Sequence, residues 1–507
     1  MPSLALANER PRRCWLSAFL VTFALAGFWA LASPTFSGPD EPAQVLRSVS
    51  LVHGTILGRP EGGPISPATQ VSVPRWLAGV GGAPDCFKGR PDTTAACEPP
   101  LSTSPGSVSE TTYAGRYPPL YYAVVGWPSL VTSGKLALYL MRLASAAASA
   151  IFLAGAISVA RRSRHARGLL AGIAVAATPQ VFFLAGVINP SGLEVSAAIC
   201  LWTAAVVACE EPGAPGALAW LAGAGAVTAN LRGLSPFWVL VIGLSVAAYA
   251  GRRRVRALMG DRRAQVGLAV LVAFGAIAVA WIFAAGALRV RPSGTPFPPG
   301  TGPWLALGLT LENLGPETLQ MVGVFGWVDT YLPVACYVLW LGFAAAVACA
   351  GVAVAPLRRR AVLVGFGLAT VAVPAIILVS RGSTLGIFGQ ARDWMPLWVG
   401  LPILAGHAIG QWAIGGQAHQ GTLHWRRTPV ALAVVGLQVL QVVAWAWALR
   451  RYSTGSGHVA INSPAAWSPP LPAPVLLAGV VIGALGLAGC CWALPPWRRA
   501  SGGRRRT

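Results

Sequence analysis

Negative charge is scarce in this sequence. Only 16 Asp and Glu stand among 507 residues, and the four charged types together make up 11% of the chain. Soluble globular domains carry roughly 25% charged residues, so a water-facing surface around a soluble core is excluded. Metal-ligating residues are thin as well, with 6 His, 9 Cys and no CxxC pair. Seven cysteines fall in apolar stretches, where Cys behaves as a small hydrophobe. The other two, Cys86 and Cys97, share a loop whose sole histidine, His53, is distant in sequence. That pattern predicts a disulfide in an oxidising compartment and no metal site.

Apolar length is abundant instead. Hydrophobic residues make up 55% of the chain, and runs of about twenty recur, the length that crosses ~30 Å of hydrocarbon. The 59 Gly and 41 Pro fit membrane helices, whose neighbours satisfy the backbone groups these residues free. The net charge of +22 comes in short clusters at Arg10 to Arg13, Arg161 to Arg167, Arg252 to Arg263, Arg358 to Arg360, Arg426 and Arg427, and Arg498 to Arg506. They lack aromatic interleaving and a folded basic domain. They therefore read as positive-inside anchors against the lipid bilayer, with no nucleic-acid partner.

Placing all six clusters in the cytoplasm demands an even number of crossings between successive clusters. Twelve transmembrane helices meet that demand, at 14–33, 138–160, 168–188, 191–209, 217–231, 234–250, 264–288, 332–355, 361–380, 394–412, 429–449 and 473–494. The expected architecture is an all-α polytopic protein of the plasma (inner) membrane, a single integral membrane domain over 1–507. Both termini are cytoplasmic, with a basic tail at 495–507. The first run follows Arg10, Arg12 and Arg13 without a small-residue cleavage site, so it reads as a retained signal anchor. Extracytoplasmic loops fall at 34–137, 289–331, 381–393 and 450–472. The segment PPLYYAVVGWPSLV at 118–131 is too short to cross, and its crossing would put Arg161 to Arg167 outside. It is expected to be an interfacial helix with Tyr117, Tyr121, Tyr122 and Trp127 at the head groups.

The few acids can each be placed, and none is expected at mid-bilayer. That argues against a proton relay through the membrane and for a site on the outer face. Asp40 and Glu41 directly follow the first helix between Pro39 and Pro42, positioned to supply a general base or to cap the next helix. Asn189 and Glu194 in VINPSGLEVS, Asp329 in GVFGWVDTYLP, and Gln390, Arg392 and Asp393 in FGQARDWMP also lie at outer helix ends. Each alone suits a cap or an interfacial anchor; together on one face they suit a site. Arg232, Arg381 and Arg392 are cations on that face, suited to a phosphate or to snorkelling toward lipid. Asp40, the Tyr117 to Tyr122 segment, Glu194, Asp329 and Arg392 are expected to converge on one cavity.

The segments GPDEPAQVLRSVSLVHG, CF…RPD…C, AGRYPPLYYAVVGWPSL, VINPSGLEVSAA, GVFGWVDTYLP and FGQARDWMP, in that order, resemble the actinobacterial membrane proteins called domain of unknown function 2142. The resemblance covers roughly residues 15–450. Its plan is similar to that of the GT-C glycosyltransferases: an acidic motif after the first helix, here Asp40 and Glu41, a long first outer loop, Pro118 and Pro119 opening an interfacial helix, and Arg142 on the second helix. Gln44 and the run Gln390, Ala391, Arg392, Asp393 depart from the family pattern, which often has His and a GRY-like stretch there.

The resemblance implies transfer of a sugar from a polyprenyl-phosphate-linked donor to a glycan or lipid acceptor of the cell envelope, at the outer face. Asp40 would be the base, with Glu41 its partner or substitute, and Arg392 would hold the leaving phosphate. A divalent metal ion on the carboxylates stays open. The alternatives are a transporter or flippase of lipid-linked glycans, which should show internal repeats and midplane charges, and a non-catalytic envelope assembly protein.

Overall fold

All twelve apolar segments fold as helices in the structure, a computed structural model that describes residues 2–62, 66–287, 301–385, 390–415, 423–456 and 464–492. The basic tail at 495–507 and the Arg498 to Arg506 cluster lie outside the described residues, as do the side chains of Arg10, Arg12, Arg381, Arg426 and Arg427.

Helix α1 (Pro2–Ala32) leads into a folded insertion holding α2 (Glu41–Val52), strands β1 (Arg59–Pro60), β2 (Thr69–Pro74) and β3 (Ser107–Thr112), and α3 (Pro119–Gly126). The strands form an antiparallel sheet in the order β1-β2-β3. Strand β2, TQVSVP, buries alternate residues, the period-2 pattern of a sheet with one covered face. The main bundle continues through α4 (Gly134–Arg162), α5 (Ala166–Ala176), α6 (Pro179–Gly186), α7 (Pro190–Glu210), α8 (Ala217–Ala229), α9 (Ser235–Ala250), α10 (Arg252–Met259) and α11 (Arg262–Ala285). Then come α12 (Pro303–Gly323), the hairpin β4 (Val324–Phe325) and β5 (Thr330–Tyr331), α13 (Val334–Val354), α14 (Leu357–Leu385), α15 (Ala391–Trp398), α16 (Gly400–Gly415), α17 (Leu423–Thr454) and α18 (Ala473–Trp492).

Among the described residues, nine spans are long and apolar enough to cross a membrane, or eleven if each bent pair counts as one. The protein is therefore a multi-pass, all-α membrane protein. The expected helix at 168–188 is two, α5 and α6, bent by 64°. Pro179 opens α6 and disfavours helical backbone at the residue before it. The expected helix at 217–231 is the 13-residue α8. The loop expected at 289–331 contains the 21-residue α12, whose Glu312, Pro316 and Glu317 interrupt the apolar run.

Helix α7 is buried along its whole length, as a helix that is apolar on every side must be. It packs on α4, α8, α9 and α6. Helices α5 and α16 meet backbone to backbone at Gly168 and Gly406, where a Cβ on either would collide with the other's carbonyl. Small residues give this close approach where apolar burial offers no extra drive.

Cross-helix contacts sort the helix ends into two faces. On one, Arg142 of α4 meets the residues after α1, Trp281 of α11 donates to the Arg116 carbonyl (3.0 Å), and Arg451 of α17 reaches the loop at 87–93. On the other, Arg161 bonds the Cys490 carbonyl of α18 (2.8 Å), Arg358 bonds the last carbonyls of α9, and Arg254 and Arg359 pair with Glu210. The clusters at 161–167, 252–263 and 358–360 thus share a basic face, opposite a face where carboxylates gather.

Candidate functional site

The turn SPTFSGPD between α1 and α2 builds the carboxylate face. Glu41 sits inside it with its charge fully engaged. Arg142 donates to it from Nε (2.7 Å) and Nη2 (2.6 Å), and the backbone N–H groups of Gly38 and Ile188 donate at 3.0 Å each. The remaining Arg142 donors reach the carbonyls of Ala30 (3.0 Å), Ser33 and Pro34 (both 2.6 Å). Arg142 and Glu41 are 0% and 1% exposed. A guanidinium has five donors, and all five are satisfied, so this pair ties α1, α2 and α4 together and offers nothing to a ligand.

Asp40, one residue earlier, is different. Its backbone is left-handed, φ 62°, and its side chain makes no capping hydrogen bond to α2. Asp40 stands at the N-cap of α2 without a side-chain cap hydrogen bond, and its carboxylate pairs with Arg392 at the start of α15. Asp40 keeps 32% of its side chain exposed. Desolvation raises its pKa, but Arg392, a nearby Tyr113 hydroxyl and Arg232 outweigh it and hold the carboxyl below its ordinary value. The Tyr113 hydroxyl is buried and completes no well-formed hydrogen bond. Arg392 also donates to the Pro39 carbonyl (3.1 Å), and its Nε is buried without a partner among the described residues.

A second charge group adjoins the first. Arg232, in the turn between α8 and α9, stands 2.7 Å from Asp393 and 3.5 Å from Glu194. The Asp393 contact is close in distance but lacks hydrogen-bond alignment. Ser235 donates to Glu194 (2.5 Å). Asn189 caps α7 through Ser191 N (3.0 Å) and donates to the Pro39 carbonyl (2.8 Å), pinning the turn. Gln390 and Asp393 form a capping box on α15. Burial raises the Tyr117 phenol, which lies within the fields of Arg232 and Asp40. Glu317 of α12 accepts from Asn313 (3.0 Å); burial, with Asp393 adding repulsion, pushes its carboxyl up to about 7.

Several expectations change. Tyr121 and Tyr122 were expected at the head groups, but both are 0% exposed. Tyr121 bonds Ser145 (3.0 Å) and Tyr122 donates to Gln44 (2.6 Å). Helix α3 packs on α2 and α4, so its tyrosines face the insertion's core, while Trp127 beyond them is exposed. Gln44, a departure from the family pattern, serves as that anchor. Asp329 forms a separate centre, accepting from Gly89 N (2.9 Å) and Thr330 (3.0 Å), with Arg451 at 3.5 Å. Its hairpin reaches the Asp40 turn where Trp327 donates to the Phe36 carbonyl (3.1 Å). The Arg381 side chain lies outside the described residues.

Among the described residues three non-glycine residues have left-handed backbone, Phe36, Asp40 and Val328, and all lie in this turn or in the β4–β5 hairpin that Trp327 joins to it. Such backbone is costly for a β-branched residue and concentrates at functional sites. Cys86 and Cys97 form a disulfide, Cα to Cα 6.0 Å. The loop they close is held to α17 by Arg451, which donates to the carbonyls of Thr93 (2.7 Å), Phe87 (2.9 Å) and Arg90 (3.1 Å). Tyr113, Ser235, Glu317 and Arg451 were not singled out from sequence. Arg450 and Arg451 carried a signal, an arginine pair on the face that the positive-inside rule should leave poor in cations. Asp40 and Glu41 do not fit a divalent cation, because a guanidinium already lies against each.

The family described as predicted membrane protein (DUF2142) matches residues 23–401. The chain belongs to this family. No curated protein matches the sequence significantly. Among solved structures it is similar to ArnT from Cupriavidus metallidurans bound to undecaprenyl phosphate, at 16% identity and TM-score 0.45. It is also similar to the apo state of the same protein, at 17% identity and TM-score 0.40. Each match covers 95% of this chain and 76% of the other. At these values the likeness is too distant to carry a residue's role across.

Proposed function

We propose that this DUF2142 protein is a GT-C-like glycosyltransferase of the inner membrane. It moves a sugar from a polyprenyl-phosphate donor to a glycan or lipid acceptor at the carboxylate face, which faces outward while the basic face and both termini are cytoplasmic. The observation that carries this reading is Asp40, an ionised, part-exposed carboxylate on left-handed backbone, making no side-chain cap bond and held against an arginine with a donor unused among the described residues.

In this mechanism the acceptor hydroxyl attacks the anomeric carbon and gives its proton to Asp40. The bond from that carbon to the phosphate oxygen breaks, and polyprenyl phosphate leaves with the electron pair. Its growing charge requires nearby cations, which Arg392 and Arg232 supply. Because Arg392 starts on Asp40, the donor phosphate must draw it away, and that exchange frees the base as the donor arrives. Glu41 and Arg142 position Asp40, and Tyr117, Asn189, Glu194, Gln390 and Asp393 shape the surrounding site. Tyr121 and Tyr122 brace the insertion that forms one wall. The transporter reading gains support from the break between α5 and α6, a feature of transporter binding sites, yet the acids of α7 stand near its ends.

The decisive experiment reconstitutes the purified protein with polyprenyl-phosphate sugars. Asp40→Asn is expected to lower transfer at least about a hundredfold, the lower range of general-base catalysis. It should leave the protein folded, because Asn readily adopts left-handed backbone. Near wild-type transfer by the variant rejects Asp40 as base. Glycolipid movement without transfer by the wild type selects the flippase.

A further inference from the structure

A cavity of about 750 Å3 opens on the basic face. Its apolar wall is Ala247, Ala248 and Pro356, and its polar wall is five arginines, Arg252, Arg253, Arg254, Arg358 and Arg359. It is remote from Asp40. Helix α9 begins beside Arg232 in the carboxylate cluster and ends at the cavity, and its 16 residues span roughly 24 Å at ~1.5 Å per residue.

The five arginines fall into two sets. Arg359 donates to Glu210 (2.7 Å) and pairs with Gln411, and Arg254 also lies on Glu210. Arg358 is spent on the final carbonyls of α9, reaching Tyr249 (2.9 Å) and Ala250 (3.1 Å). That approach depends on Gly251 at φ 88°, where a Cβ would strike the Arg358 guanidinium. Arg252 and Arg253 are exposed, and no hydrogen bond or ion pair holds either side chain among the described residues. They open α10, where the first two N–H groups precede the bond from Arg254 N–H to the Gly251 carbonyl (3.1 Å) and favour an anion. The chain bends by 114° between α9 and α10, which turns that helix start toward the cavity lining. Glu210 neutralises one charge, and among the described residues the cavity keeps a surplus of cations without a countercharge.

An apolar path leads to the same place. Phe237, Leu240 and Leu244 are exposed on α9 at three- and four-residue spacing, which makes one stripe along a helix. The stripe runs down to Ala247 and Ala248 in the cavity wall. A cationic pocket continuous with an apolar helix stripe matches a phosphate carried on an acyl chain, and basic pockets between membrane helices bind lipid head groups.

We infer that this cavity is a binding site for the phosphate group of an anionic membrane lipid, separate from the carboxylate site, with Arg252 and Arg253 as its free ligands. The test uses native mass spectrometry of the purified full-length protein with added phosphatidic acid, phosphatidylglycerol or phosphatidylcholine, and with inorganic phosphate as competitor. The wild type should retain the two anionic lipids at least about tenfold over phosphatidylcholine. The double variant Arg252→Gln with Arg253→Gln should lose roughly tenfold to thirtyfold of that retention, the effect of two near-surface cations. Neither side chain holds the fold together, so unchanged thermal unfolding in the variant separates lost binding from lost structure. Asp40→Asn should bind the lipids as the wild type does. Displacement by millimolar inorganic phosphate would assign the pocket to free phosphate; retention against it supports the lipid head group. Equal retention of phosphatidic acid and phosphatidylcholine by the wild type, or unchanged anionic retention by the double variant, overturns the site.

Discussion

Helix α7 carries acids near both ends, in opposite electrostatic company. Glu194 shares Arg232 with Asp393, and Glu317 stands near that same Asp393. Roughly 24 Å along the helix, Glu210 is held by Arg254, Arg359 and Gln411, and Glu211 by Ser163, His165 and the Arg164 backbone. At the first end carboxylates compete for few cations; at the second, cations exceed carboxylates and some are left over. The contrast recurs within one turn. Glu41 has spent its charge on a buried arginine, whereas Asp40 beside it keeps an open flank. Charges saturated by their neighbours hold a fold together, and charges left incomplete are the ones available to a ligand.

The strongest way to break this comparison is Glu41→Gln. Removing one partner of a buried pair leaves the other charge uncompensated, which costs about 3–5 kcal/mol. The variant should lose folded yield and unfold earlier in detergent, whereas Asp40→Asn should keep both. Equal stability of the two variants would dissolve the distinction between them. A smaller effect is expected from replacing Cys86 and Cys97 together with Ser. The bridge spans 11 residues, and closing so short a loop contributes roughly 3 kcal/mol at most. The loss should appear as faster proteolysis of the 86–97 loop, with the transmembrane helices intact.

The pH dependence sharpens the contrast between the two ends. Glu317 has its folded pKa raised to about 7 from 4.5. The folded state therefore disfavours its ionisation, and stability falls as pH rises from about 4.5 to about 7. Glu317→Gln should remove that slope and raise stability at pH 8 on the order of 2 kcal/mol. Glu211 has the opposite sign. Burial raises its pKa, but the bonds from His165, Ser163 and Arg164 prevail and lower it. Its contribution is present above the unfolded value and lost as pH falls through the folded one, so Glu211→Gln should destabilise at neutral pH. Thermal unfolding from pH 4 to 8 separates the signs. The smallest effect is expected at Glu61→Gln on the exposed sheet, where the acid accepts from Gln70 (3.3 Å) and Thr111 (2.6 Å). A surface change of this kind stays within about 0.5 kcal/mol, and transfer activity should not respond.

Much was legible in the chain because the bilayer imposes length and charge rules that act locally. Among the described residues each candidate span falls on an expected apolar run, although the run at 217–231 gives a helix too short to count as one, and the arginine clusters at 161–167, 252–263 and 358–360 foretold a shared face. Helix ends placed Asp40, Glu194, Arg232 and Arg392 near one another, since alternating spans return every second end to the same side. The break at Thr178 and Pro179 was harder to read, because the apolar pattern continues across it. Helix α12 was missed because Glu312 and Glu317 obscure its apolar face.

Sequence by itself determined that this chain crosses a membrane many times, with most of its carboxylates gathered away from its arginine clusters. The choice between Asp40 and Glu41 belonged to the tertiary structure. The two are adjacent, alike in chemistry and flanked by prolines, so no local pattern separates them. They diverge because Arg142, 101 residues from Glu41, reaches one, and Arg392, 352 residues from Asp40, reaches the other. The burial of Tyr121 and Tyr122 and the pairing of Asp329 with Arg451 were decided in the same way. Which charge is completed and which is left open depends on partners brought together only when the helices pack.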